Sequence, residues 1–334
     1  MEAQDGIEAQ MDIPPEVLAA KELFEAPLFE AGLISGCDVG VRDEDAPDPE
    51  DLALRVFVPD RDNVPAAVVE ATALFPFPVV IIQRVFQITG SLPDIDRERP
   101  VLGGVSVAAS RFHATGSDFV GTLGSIVRDA ADPSVFYGLS NHHVLCHDIN
   151  RAQGDEIVQP RPSVLGVLPG DRIGTLERWA FPETTATGTV DAAVCRLEVD
   201  SVPEIKEIGP VFGTVDVTHA VHVSKRGATT GLTFGWVSGT FLSATADYSD
   251  MPAVGASTSR TLTGQLQVHI DFPQTVIFGD SGDSGSVVLA QDDGGFDRVV
   301  GLYWASGSAS LGDPLEHGVC TPATVVESQL NIRF

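Results

Sequence analysis

The chain has 334 residues, 43% hydrophobic and 20% charged, the balance of a globular protein with a substantial core. Lys and Arg total 20 against 47 Asp and Glu, a formal net charge of -27 that excludes nucleic acid and anionic membranes as partners. Thirty-three glycines and 22 prolines imply many turns, as a mainly β chain requires.

Residues 1–20 carry no basic stretch followed by an apolar run, so a signal peptide is not expected. Asp12 is placed to cap a helix that starts at Pro14-Pro15 and runs through Val17, Leu18, Leu23 and Phe24 until Pro27 interrupts it. Leu33 to Val41 predicts a strand and Asp43 to Asp51 an acidic loop. Leu52, Leu54, Val56 and Val58 alternate as in a half-buried strand. The most apolar run, Leu74 to Ile82, is too short to span a bilayer and contains Pro76 and Pro78. A short helix near Pro65 to Glu70 and a strand from Val79 to Phe86 complete a small α/β N-terminal domain. Its end, Thr89 to Pro100, has linker composition, so residues 1–100 form one unit and 101–334 another.

From Val101 onward, short strands alternate with glycine-containing turns. One group comprises Gly103 to Ala109, Phe119 to Val127, Val135 to Leu139, Asp171 to Trp179 and Val190 to Leu197. A second comprises Val221 to Lys225, Phe234 to Ala246, Leu262 to Phe272, Ser286 to Ala290, Val299 to Ala305 and Val319 to Pro322, before a closing helix at Ala323 to Leu330. Two groups of about six strands predict two packed β-barrels. Cys37, Cys146, Cys195 and Cys320 are scattered without a CxxC pair, which predicts reduced, buried thiols and a cytoplasmic protein.

Three short motifs carry chemistry. Ser140-Asn141-His142-His143 ends a strand, Asp191 opens the apolar run Ala192-Ala193-Val194, and Gly282-Asp283-Ser284-Gly285-Ser286 is a glycine turn before Val287-Val288-Leu289. A serine hydroxyl is a poor nucleophile without an adjacent base, and the base needs an orienting group. Ser284 is the nucleophile in this reading, His143 the general base and Asp191 the group that fixes the imidazole tautomer. The N–H groups of Gly282 and Ser284 are placed to form an oxyanion hole. A second Gly-Asp-Ser-Gly copy overlaps the first at Gly279 to Gly282, but Ser281 lacks the strand behind it. His142, His143, Cys146 and His147 together invite a zinc reading. Only a helix would align two of them, and no second ligand pair supports it, so neither a metal nor an organic cofactor is expected.

These residues resemble the trypsin-like (chymotrypsin-fold) serine proteases over roughly the last two-thirds of the chain. Ser140 to His143 is similar to that family's histidine motif, and Gly282 to Ser286 to its serine motif. Lys225-Arg226-Gly227-Ala228-Thr229-Thr230-Gly231 resembles a basic segment of streptogrisin-like members, and the N-terminal extension resembles intracellular, narrow-leaf-type members. The resemblance implies a two-barrel fold and a serine endopeptidase acting on protein or peptide substrates through an acyl-enzyme. It also implies a substrate pocket lined by Phe278, Trp304, Ala305 and Ser306; Phe278 there disfavours a basic side chain while nearby Asp280 favours one, and a small or apolar side chain is the expectation. Asp283 would be a costly buried charge if unpaired, so Lys225 or Arg226 is expected to pair with it. The competing reading is a protease-fold scaffold or binding protein whose site is latent or inactive. Homo-oligomer formation is left open.

Overall fold

The computed structural model describes residues 13–44, 46–87, 94–111, 121–162, 169–272, 274–308 and 316–334. The predicted cap Asp12 and residues 89–93 of the linker lie outside these. The N-terminal unit consists of α1 (Pro15–Glu30), β1 (Gly36–Val41), β2 (Leu52–Val58), α2 (Ala66–Ala73), β3 (Val79–Gln83) and β4 (Val85–Gln87). Helix α1 runs through Pro27 instead of stopping there. Proline removes one N–H, and the carbonyl that loses its partner is that of Leu23, a residue exposed to water. Burial of Phe24 and Leu28 holds the final turn in place.

Strand β2 pairs antiparallel with β1 and parallel with β3. Every residue of it is buried, not alternate ones as its pattern predicted. Leu54, Val56 and Val58 face the core beneath the helices. On the other face Phe57 packs with Phe86 and Trp304, and Arg55 is bound by Asp38 and Glu44. A buried arginine is tolerated there because its charge and donors are both satisfied.

The first barrel region contains β5 (Val101–Gly103), β6 (Val105–Ala109), β7 (Gly121–Leu123), β8 (Ser125–Asp129), β9 (Phe136–Ser140), α3 (His142–Leu145), β10 (Glu156–Val158), β11 (Arg172–Ala180), β12 (Thr187–Gly188) and β13 (Ala192–Leu197), then β14 (Ser201–Ile205) and β15 (Gly209–Pro210). Hydrogen bonds run β8-β9-β13-β11-β10-β6-β7. Because β7 continues into β8 through Gly124 alone, this path closes on itself as a barrel. A side chain at Gly124 would run into the Gly285 carbonyl, so glycine permits both the bend and the approach of the second barrel.

The second barrel is built from β16 (His222–Gly227), β17 (Gly231–Asp247), β18 (Ser259–Ile270), β19 (Val287–Gln291), β20 (Asp297–Ser308) and β21 (His317–Pro322), followed by α4 (Ala323–Leu330) and β22 (Ile332–Arg333). The order β16-β17-β18-β21-β20-β19 returns to β16, a closed ring. The fold is mainly β, with the two barrels that the strand count predicted. β17 is 17 residues long, and its far half also pairs with β1. The N-terminal sheet is therefore hydrogen-bonded onto the second barrel.

Side-chain alternation explains how the barrels pack. On β19, Val288 and Ala290 face the second barrel's interior, while Val287 and Leu289 face the seam between barrels. On β13, Ala193 and Cys195 face the first interior, and Ala192 and Val194 face the same seam. Val326 and Leu330 of α4 cover it, and β22 then crosses back to pair with β8. The described part of the linker is pinned to both halves. Asp94 binds Arg226, Arg97 binds Asp171, and Arg99 reaches Gln159. All four cysteines are free and buried. Among the described residues no helix is long and apolar enough to cross a membrane.

Candidate active site

One wall of the site comes from the first barrel. After β9 ends at Ser140, the chain makes the single turn α3, which turns His143 toward Asp191 at the start of β13. His143 Nδ1 lies 2.5 Å from Asp191 Oδ2, and the His143 backbone N–H donates to Oδ1 at 3.1 Å. The Tyr248 hydroxyl donates to Oδ2 at 3.0 Å, and Asn141 Nδ2 donates to the Asp191 carbonyl at 2.6 Å. Burial alone would raise the Asp191 carboxyl, but the charge and hydrogen bond of His143 hold it below the ordinary carboxylate value. His143 Nε2, the nitrogen away from Asp191, has no hydrogen-bond partner among the described residues. His142 faces the other way and stacks on Phe181 at 4.4 Å, and burial lowers its pKa to about 4.

The second wall is the Gly282–Ser286 turn. Gly282 and Gly285 have φ of 91° and 94°, a region that glycine enters without strain. Asp283 is fully buried and accepts from Lys225 Nζ at 2.9 Å and Thr230 Oγ1 at 2.6 Å. The N–H groups of Thr229, Thr230 and Asp280 also donate to it. Of the two basic residues considered for Asp283, Lys225 reaches it, whereas Arg226 turns to Asp94 and the Gly104 carbonyl. Among the described residues, the N–H groups of Gly282 and Ser284 find no acceptor, while that of Gly285 between the same strands donates to Tyr303.

Thr122 of β7 fastens the turn to the first barrel. Its N–H donates to the Ser284 carbonyl and its hydroxyl to the Gly282 carbonyl, both at 2.8 Å. The same hydroxyl accepts the Ala228 N–H at 2.9 Å, and Ser140 Oγ donates to the Thr122 carbonyl. Next to it, a side chain at Gly121 would run into both Val144, which follows His143, and the Ser284 carbonyl. Gly121 thus brings the residue after His143 close to the backbone of Ser284. His143 and Ser284 are not hydrogen-bonded: the Ser284 hydroxyl donates to the Trp304 carbonyl at 3.4 Å.

The predicted pocket residues Phe278, Trp304, Ala305 and Ser306 all lie buried behind the turn. Ser306 Oγ donates to the Gly279 carbonyl and bonds the Tyr303 hydroxyl, and Lys225 Nζ lies over the rings of Phe278 and Tyr303. His142, His143, Cys146 and His147 form no ligand cluster. The described residues group Glu44, His269 and His317 instead. Arg84 donates to Glu44 and sits 2.7 Å from His317 Nε2, so a guanidinium already supplies the positive charge there.

Sequence reading missed Thr122, Tyr248 and Phe181. Tyr248 reaches Asp191 from the other barrel, 57 positions along the chain, and no local pattern announces such a contact.

No family model matches the chain, and no curated protein matches it. It is similar to solved bacterial serine proteases. Thermobifida fusca Protease A is 17% identical over 70% of this chain and 97% of that one, with a TM-score of 0.46. A glutamic acid specific serine protease that uses a histidine triad in substrate binding is 18% identical over 70% and 99%, with a TM-score of 0.47. Nocardiopsis protease is 16% identical over 72% and 98%, with a TM-score of 0.45.

Proposed function

We propose that the chain is a serine endopeptidase that cleaves protein or peptide substrates with Ser284, His143 and Asp191. The observation that carries this reading is that an unpartnered imidazole nitrogen and a serine turn with unsatisfied N–H groups lie on segments that Gly121 and Thr122 of β7 bring close together. Asp191 holds His143 through Nδ1, so the unpartnered Nε2 is the basic nitrogen. The serine turn offers two N–H groups without acceptors. Rotation of Ser284 away from Trp304 and toward Nε2 starts the reaction. The hydroxyl oxygen attacks the scissile carbonyl as its proton passes to Nε2. The Gly282 and Ser284 N–H groups receive the negative oxygen of the tetrahedral intermediate. Nε2–H then gives its proton to the leaving amine, and water releases the acyl group by the reverse sequence.

Phe278 and Tyr303, with ring centroids 6.2 Å apart, fill space behind the turn, which supports a small or apolar side chain at the cleavage site. Four free, buried thiols support a reducing compartment. One observation favours a latent site: Ser284 points to Trp304 and not to His143. A fluorophosphonate probe and casein separate the two readings. Labelling that is lost in Ser284→Ala and His143→Ala, together with casein cleavage, is the expected result. Labelling without cleavage indicates narrow specificity, the absence of both signals favours the latent or inactive site, and labelling that persists in Ser284→Ala refutes the assignment.

A further inference from the structure

We propose that Tyr248 is a positioning residue that holds the His143–Asp191 pair from the opposite barrel; this rests on the protease reading above. Asp191 is fully buried, and its Oδ2 takes two donors, His143 Nδ1 and the Tyr248 hydroxyl. His143 and Asp191 belong to the first barrel, whereas Tyr248 begins the connection from β17 to β18 of the second. The hydroxyl is thus a direct bond between the barrels at the reacting groups. With one donor on each side of Oδ2, the carboxylate has little freedom to rotate away from the imidazole.

The connection is built to keep Tyr248 in place. Arg260, fully buried, donates to the carbonyls of Pro182, Pro252, Thr258 and Ser259, which ties the middle of the loop to its C-terminal end and to the segment that carries Phe181. The Tyr248 ring lies edge-on to Phe181 at 4.8 Å and to His143 at 6.2 Å. Burial and the Asp191 charge raise the phenol pKa well above its ordinary value, so the hydroxyl keeps its proton and stays a donor. The same loop roofs an open cavity of about 150 Å³ that His143 and His147 also line. The loop therefore shapes the space next to the base as well as orienting it. Of the charged and titratable groups that line this cavity with His143, Asp250 lies 3.6 Å from His147, and Asp247 lies beside them; His142 next in sequence stacks on Phe181 instead.

Tyr248→Phe keeps the ring and removes only the hydroxyl. Two readouts are compared with wild type: steady-state kinetics on a peptide substrate, and the low-field proton resonance of His143 Nδ1–H in the Ser284→Ala background. Loss of one donor leaves Oδ2 more negative toward Nδ1, so the resonance moves downfield. kcat falls about tenfold, the scale of one hydrogen bond to a charged group, with KM within about twofold. An unmoved resonance or an undiminished kcat overturns the proposal. If wild-type Ser284 does not react with a fluorophosphonate, the protease reading fails, and the resonance alone decides for Tyr248.

Discussion

Replacing Lys225 by methionine tests how the serine turn is held. Lys225 and Asp283 are both fully buried and 2.9 Å apart. Breaking a buried pair strands a charge and costs about 3–5 kcal/mol. Asp283 keeps Thr230 Oγ1 and three backbone N–H donors, so the loss falls near the lower end, about 3 kcal/mol. In the wild type, burial raises the Asp283 carboxyl, but Lys225 and Thr230 outweigh it and hold it below the ordinary value. Its contribution to stability is therefore present above the unfolded carboxylate pKa and lost as pH falls through the lower, folded one. Without Lys225 the burial effect is opposed only by the remaining hydrogen bonds, so the carboxyl takes up a proton at higher pH than in the wild type, and protonation relieves the stranded charge. The stability gap between wild type and Lys225→Met is thus full near about pH 7 and narrows toward about pH 4. Urea unfolding of both proteins at the two pH values measures it, and fluorophosphonate labelling reports whether the turn still presents Ser284. A gap below about 1 kcal/mol, or one independent of pH, would refute the reasoning.

Two further outcomes follow from the same geometry. His142 is buried with its pKa lowered from 6.5 to about 4, so the folded state refuses a proton that the unfolded chain binds. Its share of stability is intact above about pH 6.5 and lost as pH falls toward 4, about 3 kcal/mol in all. His142→Phe, which keeps a ring against Phe181, removes this share; parallel unfolding curves for the two proteins across that range would contradict it. Thr122→Val leaves the Ala228 N–H and the Gly282 carbonyl without their buried partner, at about 1–3 kcal/mol each. The variant labels more slowly at Ser284 and unfolds at lower urea; wild-type labelling would show that the turn does not need this anchor.

Much of the site is local in sequence, which is why it could be read there. Gly282 and Gly285 announce a turn with positive φ, and the apolar run after Ser286 announces the strand behind it. Asp191 stands where an apolar strand begins, and Lys225 lies in a basic segment otherwise hard to place in a core. What escaped was set by partners far along the chain. Arg226 looks equivalent to Lys225, yet strand alternation sends the two side chains to opposite faces, and only Lys225 faces Asp283. Leu52 to Val58 alternates like a half-exposed strand, but Phe57 and Arg55 find cover from Phe86, Trp304, Asp38 and Glu44. Pro27 reads as a helix stop until the burial of Leu28 is known.

The β22 strand gives the cleft a mechanical character. After the second barrel is complete, Ile332 and Arg333 return to pair with Asp129 and Arg128, and Ile332 is fully buried. Before the first barrel, Asp94 and Arg97 bind one half each. The two halves are thus strapped together both before the first barrel and after the second, and swinging them apart about a single pivot would require peeling off one strap. Strapping of this kind resists a change in the spacing between the halves.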